Sequence, residues 1–267
     1  TNMMKNEYDK NFSLFYSKYL TGQAKKYARF IEKYISDKID EKNIIDFMCG
    51  TGDLLEIFNI LGWKAVGVDL SEEMLGIARQ KNLGIEYLNQ NILDFHSQEN
   101  YNLAVSTADA LNHIRNVSDL EKVFLNIFKS LKPEGYFIFD MNTVKGIRND
   151  NGYVMTSDDS MFVVREGFVD EVNQIGFTRF TGFLSPNLDS NYVRFDSTIY
   201  NYMFEMSEVI GLLKKIGFSY IELRDGYSDR MINENEAESV DRVLFIVKKS
   251  SLYEGVKKIR ISKVKRH

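Results

Sequence analysis

Cysteine is almost absent: the one thiol among 267 residues, Cys49, has no partner for an internal disulfide. Beside it stand only three histidines, too few soft ligands for a dedicated structural zinc site, so no metal is expected. A reducing compartment fits this, and a cytoplasmic location is the expectation. Proline is nearly as scarce. Two residues, Pro133 and Pro186, leave no proline-rich linker between folded units. No run approaches about 18 consecutive apolar residues, and Thr1 to Asn6 has no apolar stretch, so neither a membrane span nor a signal peptide is expected. One-sided charge is missing too. Thirty-four basic against 38 acidic residues give −4, with 27% charged and 44% hydrophobic residues, which excludes a disordered tail or a strongly basic nucleic-acid binder.

What remains is ordinary globular composition over a length of about 1.8 typical domains, so one large domain or one domain with a substantial insertion is expected. Charge is uneven along the chain. Residues 254 to 267 carry six basic side chains against Glu254, so this tail is +5 and the rest is −9. A basic tail can bind RNA or anionic lipid; the plainer reading is a solvated terminus.

Residues 8 to 36 place aromatic and aliphatic side chains at helical spacing, interrupted at Thr21-Gly22, which predicts two helices. Strand and helix patterns then alternate: Ile44 to Met48, Asp53 to Leu61, Ala65 to Val68, Glu72 to Lys81, Ile85 to Leu88, Leu103 to Ser106, Leu120 to Leu131 and Tyr136 to Asp140. Such alternation means right-handed βαβ units on a parallel sheet. From Tyr153 to Phe204 the period falls to two, with turn signals at Asp158-Asp159, Asn173 and Ser185-Pro186-Asn187. An antiparallel lid is expected there. A helix (Ser207 to Lys215) and two strands (Tyr220 to Leu223, Val243 to Lys248) close the pattern. The expected organisation is a helical cap at 1–40, a core at 41–150 and 205–250, a β lid inserted at 151–204, and a basic tail at 251–267.

The strongest chemical signal is Asp46-Phe47-Met48-Cys49-Gly50-Thr51-Gly52-Asp53, between the first strand and its helix. Ligands of doubly wound sheets bind beyond the carboxyl ends of the strands, where glycines let backbone approach closely. A dinucleotide site would need a third glycine at position 55, which is Leu55, and Asp46 and Asp53 put carboxylates where a pyrophosphate would lie. A cationic ligand suits them better. Asp69 closes the second strand, where a carboxylate can accept both hydroxyls of a ribose; as a helix cap before Ser71-Glu72-Glu73 it would have a plainer use.

With these pieces in register, the sequence resembles the class I S-adenosylmethionine-dependent methyltransferases. The likeness spans residues 8 to 249 and rests on DFMCGTGD, GVDLSEEMLGIAR, NQNILDF, YNLAVSTADALNHI and LKPEGYFIFDMNT. It implies a Rossmann-like, doubly wound, mixed seven-stranded α/β sheet whose last antiparallel strand, Val243 to Lys248, inserts between the fifth and sixth. The cofactor implied is S-adenosyl-L-methionine. Gly50 and Gly52 would line its methionine part, Asp69 its ribose, Leu70 and Met74 the adenine faces, and Asn91 with Ile92 the adenine edge. Asp46 and Thr107 complete the implied cofactor set. Asn91 departs from the family, which usually has an acid there.

Within the family, the likeness is greatest to amino-sugar N-methyltransferases with a β-sheet lid. It is carried by Tyr8-Asp9-Lys10-Asn11-Phe12-Ser13-Leu14-Phe15-Tyr16, by Lys25-Lys26-Tyr27, and by Asn112-His113. This implies His113 as the catalytic base, Tyr8 orienting the acceptor nitrogen, and Tyr16 and Tyr27 closing over the cofactor; ordinary helix core is the plainer use of the tyrosines. Asp109 could draw in a cationic amine, orient His113, or merely cap a loop. Arg165, Arg179 and Arg194 of the lid could grip an anionic group or mark a wet sheet face. A small-molecule amine is thus the expected acceptor, nucleic acid and membrane are not expected partners, and a homodimer stays open. An O-methyltransferase, an RNA methyltransferase using the tail, and a non-catalytic cofactor-binding protein are the alternatives.

Overall fold

The computed structural model describes residues 2–81 and 84–251, with side chains from residue 9 onward. Two helices, α1 (Asn2–Tyr19) and α2 (Gly22–Ile35), precede the alternating units. These run β1 (Asn43–Phe47), α3 (Asp53–Ile60), β2 (Lys64–Asp69), α4 (Glu72–Lys81), β3 (Glu86–Asn89), β4 (Tyr101–Ser106), α5 (Val117–Ser130), β5 (Leu131–Asn142) and α6 (Val144–Asn149). Four long strands follow, β6 (Gly152–Ser157), β7 (Met161–Asp170), β8 (Ile175–Leu184) and β9 (Val193–Tyr202). Then come α7 (Met206–Ile216), β10 (Phe218–Asp225), β11 (Met231–Ile232) and β12 (Arg242–Lys249).

The main sheet has the order β11-β10-β12-β5-β4-β1-β2-β3, parallel from β5 to β3, with β12 antiparallel between β5 and β10. Seven of its strands are those the pattern predicts. The eighth, β11, is two residues long and too short to leave a period. Both faces of the sheet are covered, so its strands are apolar on alternate sides. Ile45, Phe47, Phe137, Phe139, Val243 and Phe245 pack with α5 and α7, while Ile44, Ile138, Leu244 and Ile246 pack with α2, α3 and α4. Phe139 and Phe245 stack with centroids 4.5 Å apart. Local chemistry starts the helices: the Asn116 side chain accepts the Asp119 N–H at α5, and Thr143 accepts Gly146 N–H at α6.

The two N-terminal helices part company. Tyr27, Ala28, Ile31 and Ile35 of α2 join the core with α3. Phe12 and Phe15 of α1 instead pack on Met161, Val163, Phe180, Leu184 and Phe195 of the second sheet, β6-β7-β8-β9, with Phe15 stacked on Phe195 at 4.7 Å. Both helices carry aromatic residues at helical spacing, and spacing alone cannot say which surface takes which stripe. No helix among the described residues is long and apolar enough to cross a membrane. The basic residues of the tail lie outside the described residues.

Gly52 shows how tightly the glycine loop is built. It has φ +76, and a Cβ there would lie 2.2 Å from the Tyr87 hydroxyl and 3.3 Å from Ala78 Cβ. Gly52→Ala is therefore expected to cost about 2 kcal/mol or more, combining about 1–2 for the left-handed backbone with overpacking. Thermal unfolding checks this: a fall of roughly 4 °C or more is expected, and an unchanged midpoint contradicts it.

Candidate active site

The carboxyl ends of β1, β2, β4 and β5 open into a cleft of about 750 Å³, roofed by α1 and the second sheet. On one side lies the glycine loop, where Met48, Gly50 and Gly52 all have positive φ (63, 57 and 76). Met48 is the one of the three with a side chain to crowd the left-handed region, and it lines the cleft. The Asp69 carboxylate at the end of β2 accepts the N–H groups of Gly50 and Ser71, both at 2.9 Å, tying the loop to the second strand. Burial raises the Asp69 pKa, and these backbone donors oppose the rise. Tyr16 of α1 lies over the loop, 3.5 Å from where a Gly50 Cβ would stand. Its phenol is held protonated by burial and by the carboxylates of Asp53, Asp109, Asp69 and Asp46. The Cys49 thiol is also pushed up by burial and by Asp46 and Asp69, so it is a packing group and not a nucleophile.

On the opposite side, the loop after β4 carries Thr107, Asp109 and His113. The His113 Nδ1 lies 2.8 Å from the Tyr200 carbonyl of β9. A carbonyl only accepts, so Nδ1 donates in this pair, and in the uncharged tautomer that does so the lone pair lies on Nε2. Asparagines fasten this loop to both sheets. Asn112 donates to the carbonyls of Asn142 and Tyr202, and Asn142 donates to the Asn201 side chain. Beneath Asp109 lies Arg242, the first residue of β12. Its Nη2 meets the Asp109 carboxylate at 3.1 Å, its Nη1 meets Gln23 at 3.0 Å and Asp140 at 3.3 Å, and its Nε donates to Asn142 at 3.0 Å. Asp140, fully buried, also accepts from the Asp109 N–H and the Tyr27 hydroxyl.

The roof separates its arginines. Arg165 lines the cleft but is ion-paired to Asp150 at 2.5 Å and lies over Phe180. Arg179 forks onto Asp196, which also meets Arg194, so these two form a paired network away from the cleft. Tyr200 and Tyr202 line the cleft; Tyr192 is exposed.

Residues 44–135, which supply the glycine loop, Asp69 and the loop after β4, match the family model described as a methyltransferase domain. The chain carries a methyltransferase domain. The Bacillus subtilis protein YqeM is 29% identical to this methyltransferase over 228 residues, 82% of this chain and 89% of that one. An S-adenosylmethionine-dependent methyltransferase from Clostridium acetobutylicum has the same fold, with a TM-score of 0.78, 24% identity, and coverage of 90% of this chain and 98% of that one. The sugar N-methyltransferase KedS8 from Streptoalloteichus shares the fold at a TM-score of 0.69 and 16% identity, over 90% and 93% of the two chains.

Of the residues singled out in the sequence, Tyr16, Gly50, Asp69, Met74, Thr107, Asp109 and His113 meet in the methyltransferase cleft. Six others do not line it. Asp46 is buried within β1, with its pKa raised by burial and by Asp69, so it shapes the field from below. Gly52 turns the chain into α3. Leu70 is 68% exposed, the Asn91 side chain caps a turn by accepting the Leu93 N–H, and Ile92 is buried in the core. Tyr27 lies under the floor on Asp140 rather than over the cleft, because α2 packs on the core and not on the roof. The side chain of Tyr8 lies outside the described residues. Sequence reading missed Arg242, Asp140 and Gln23. The signal was there for two of them: Asp140 interrupts Tyr136-Phe137-Ile138-Phe139, and Arg242 opens Val243-Leu244-Phe245-Ile246-Val247, and a charge in a doubly buried strand needs a partner.

Proposed function

We propose that this methyltransferase acts on a small molecule and transfers the methyl group to an amine, of the amino-sugar type. His113 carries the proposal. An amine that arrives as ammonium has no lone pair until it loses a proton, and the Nε2 of a ring anchored through Nδ1 is the group in the cleft suited to accept it. S-adenosylmethionine, when bound, supplies a methyl group on a sulfonium centre. Gly50, Asp69, Met74, Thr107 and Tyr16 would hold it: open backbone at Gly50, a carboxylate for the ribose at Asp69, apolar contact at Met74, and the Tyr16 ring as a cation–π surface. Displacement at carbon needs chiefly alignment, which the Asn112 and Asn142 amides support by fixing the loop after β4 against β5 and β9. Tyr8 would orient the acceptor nitrogen.

A roofed cleft of this volume suits a cofactor with a small partner, since ligand sites run to about 300–1,000 Å³. The fold it shares with a sugar N-methyltransferase supports the same reading. The test is mass spectrometry of products after incubation with S-adenosylmethionine and panels of small amines, nucleotide amino sugars and matched alcohols. Amines gaining a methyl group with alcohols unchanged is the expected outcome; methylated alcohols alone would overturn the amine assignment.

A further inference from the structure

The floor of the cleft holds two carboxylates on a single guanidinium. Arg242 is 6% exposed, Asp140 is fully buried, and Asp109 is 21% exposed; Asp109 and Arg242 line the cleft, so Asp109 is the carboxylate of the pair that faces it. Among the described residues no second cation reaches either carboxylate: the remaining partners are the neutral Gln23, Asn142, Tyr27 and the Tyr227 ring. With both acids ionised the cluster carries one unbalanced negative charge, and burial makes such a charge costly unless a cation completes it. Other charges nearby do not cancel it. Asp53, Asp69 and Asp46 join Asp109 in pressing on the Tyr16 hydroxyl; of the other arginines lining the cleft, Arg165 is already paired with Asp150 and Arg115 is exposed to solvent.

We propose that Arg242 is a positioning residue that fixes Asp109 at the cleft floor, and that the Asp109–Arg242–Asp140 cluster uses its unbalanced charge to favour the cationic methyl donor over the neutral sulfide product. The donor and S-adenosylhomocysteine differ by one methyl group and one positive charge. A site that grips both through the same adenosine contacts would release product slowly; a negative floor weakens only the hold on the neutral form. Asp140 sets the charge count and Arg242 sets the place where Asp109 presents it. This is independent of which acceptor the enzyme uses.

Calorimetry with S-adenosylmethionine and with S-adenosylhomocysteine tests it on the full chain, with circular dichroism verifying the fold of each variant. Asp140→Asn keeps the shape and removes one charge. It is expected to lower the ratio of donor to product affinity on the order of tenfold, while product affinity stays within about twofold, because only the donor feels the lost charge. Equal weakening of both ligands, or an unchanged ratio, overturns the proposal. Arg242→Lys keeps the charge count but cannot fork across Asp109, Asp140 and Asn142 together. Its donor preference should fall as well; an unchanged preference overturns the positioning role.

Should Asp140→Asn not fold, acid titration of the wild-type protein replaces it. Facing Asp140 are Tyr27 from α2, Asp109 from the loop after β4, Tyr227 after β10 and Arg242 from β12. Burial pushes Asp140 up to about 6 against the opposing pull of Arg242. Donor preference should therefore decline as the medium passes from about pH 8 to about pH 5. The same decline should persist in His113→Asn, which has no imidazole in the cleft. A flat ratio in that variant overturns the proposal.

Discussion

Replacing Asp69 with alanine is expected to weaken S-adenosylmethionine binding about 100-fold or more. The proposed ribose contact gives its carboxylate two hydroxyl donors, and hydrogen bonds to a charged group are worth about 1.5–3 kcal/mol each. The loss is compounded locally. The same carboxylate accepts the Gly50 and Ser71 N–H groups, so its removal also frees the glycine loop on which the cofactor would rest. Titration calorimetry measures the effect, with Asp69→Asn as the companion variant. Asn keeps one acceptor oxygen and loses the charge, so its affinity should fall between wild type and alanine. A fully folded Asp69→Ala variant that binds with wild-type affinity would remove the ribose assignment.

His113→Ala is the second large effect. General-base catalysis contributes about 10²–10⁴-fold, and turnover of the amine found by the product screen should fall by that amount while cofactor affinity holds. One complication is structural, because the ring also holds the Tyr200 carbonyl of the roof. His113→Asn separates the two roles. Its amide can still donate to that carbonyl but has no basic nitrogen, so it should restore roof packing and leave turnover low. Recovery of turnover in His113→Asn would show that His113 only anchors the roof.

The residues that sequence reading did and did not place divide along physical lines. Where a place in the cleft depends on backbone close to a strand end, the position was legible: Gly50, Asp69 and Thr107 lie within a few residues of where strands stop, and His113 in the loop that follows β4. Where it depends on the direction of a side chain, adjacency misled. Leu70 follows Asp69 by one residue, yet the chain turns it out to solvent. Asn91 and Ile92 follow β3, but one caps its own turn and the other points into the core. Tyr16 and Tyr27 carry the same spacing signal on two adjacent helices, yet only Tyr16 reaches the cleft. The polar floor was missed because its members come from α2, the loop after β4, β5 and β12, as far apart as Gln23 and Arg242.

Alternating strand and helix periods, the change to period two after Tyr153, and the glycine loop followed by Asp69 were written in the sequence, since each is a local property of the chain. The pairing of α1 with the roof and α2 with the core was decided only by the tertiary structure. So was the pairing of two acids with Arg242. Both depend on which buried surfaces meet across the fold, and a buried charge can be paid for by a partner more than a hundred residues away.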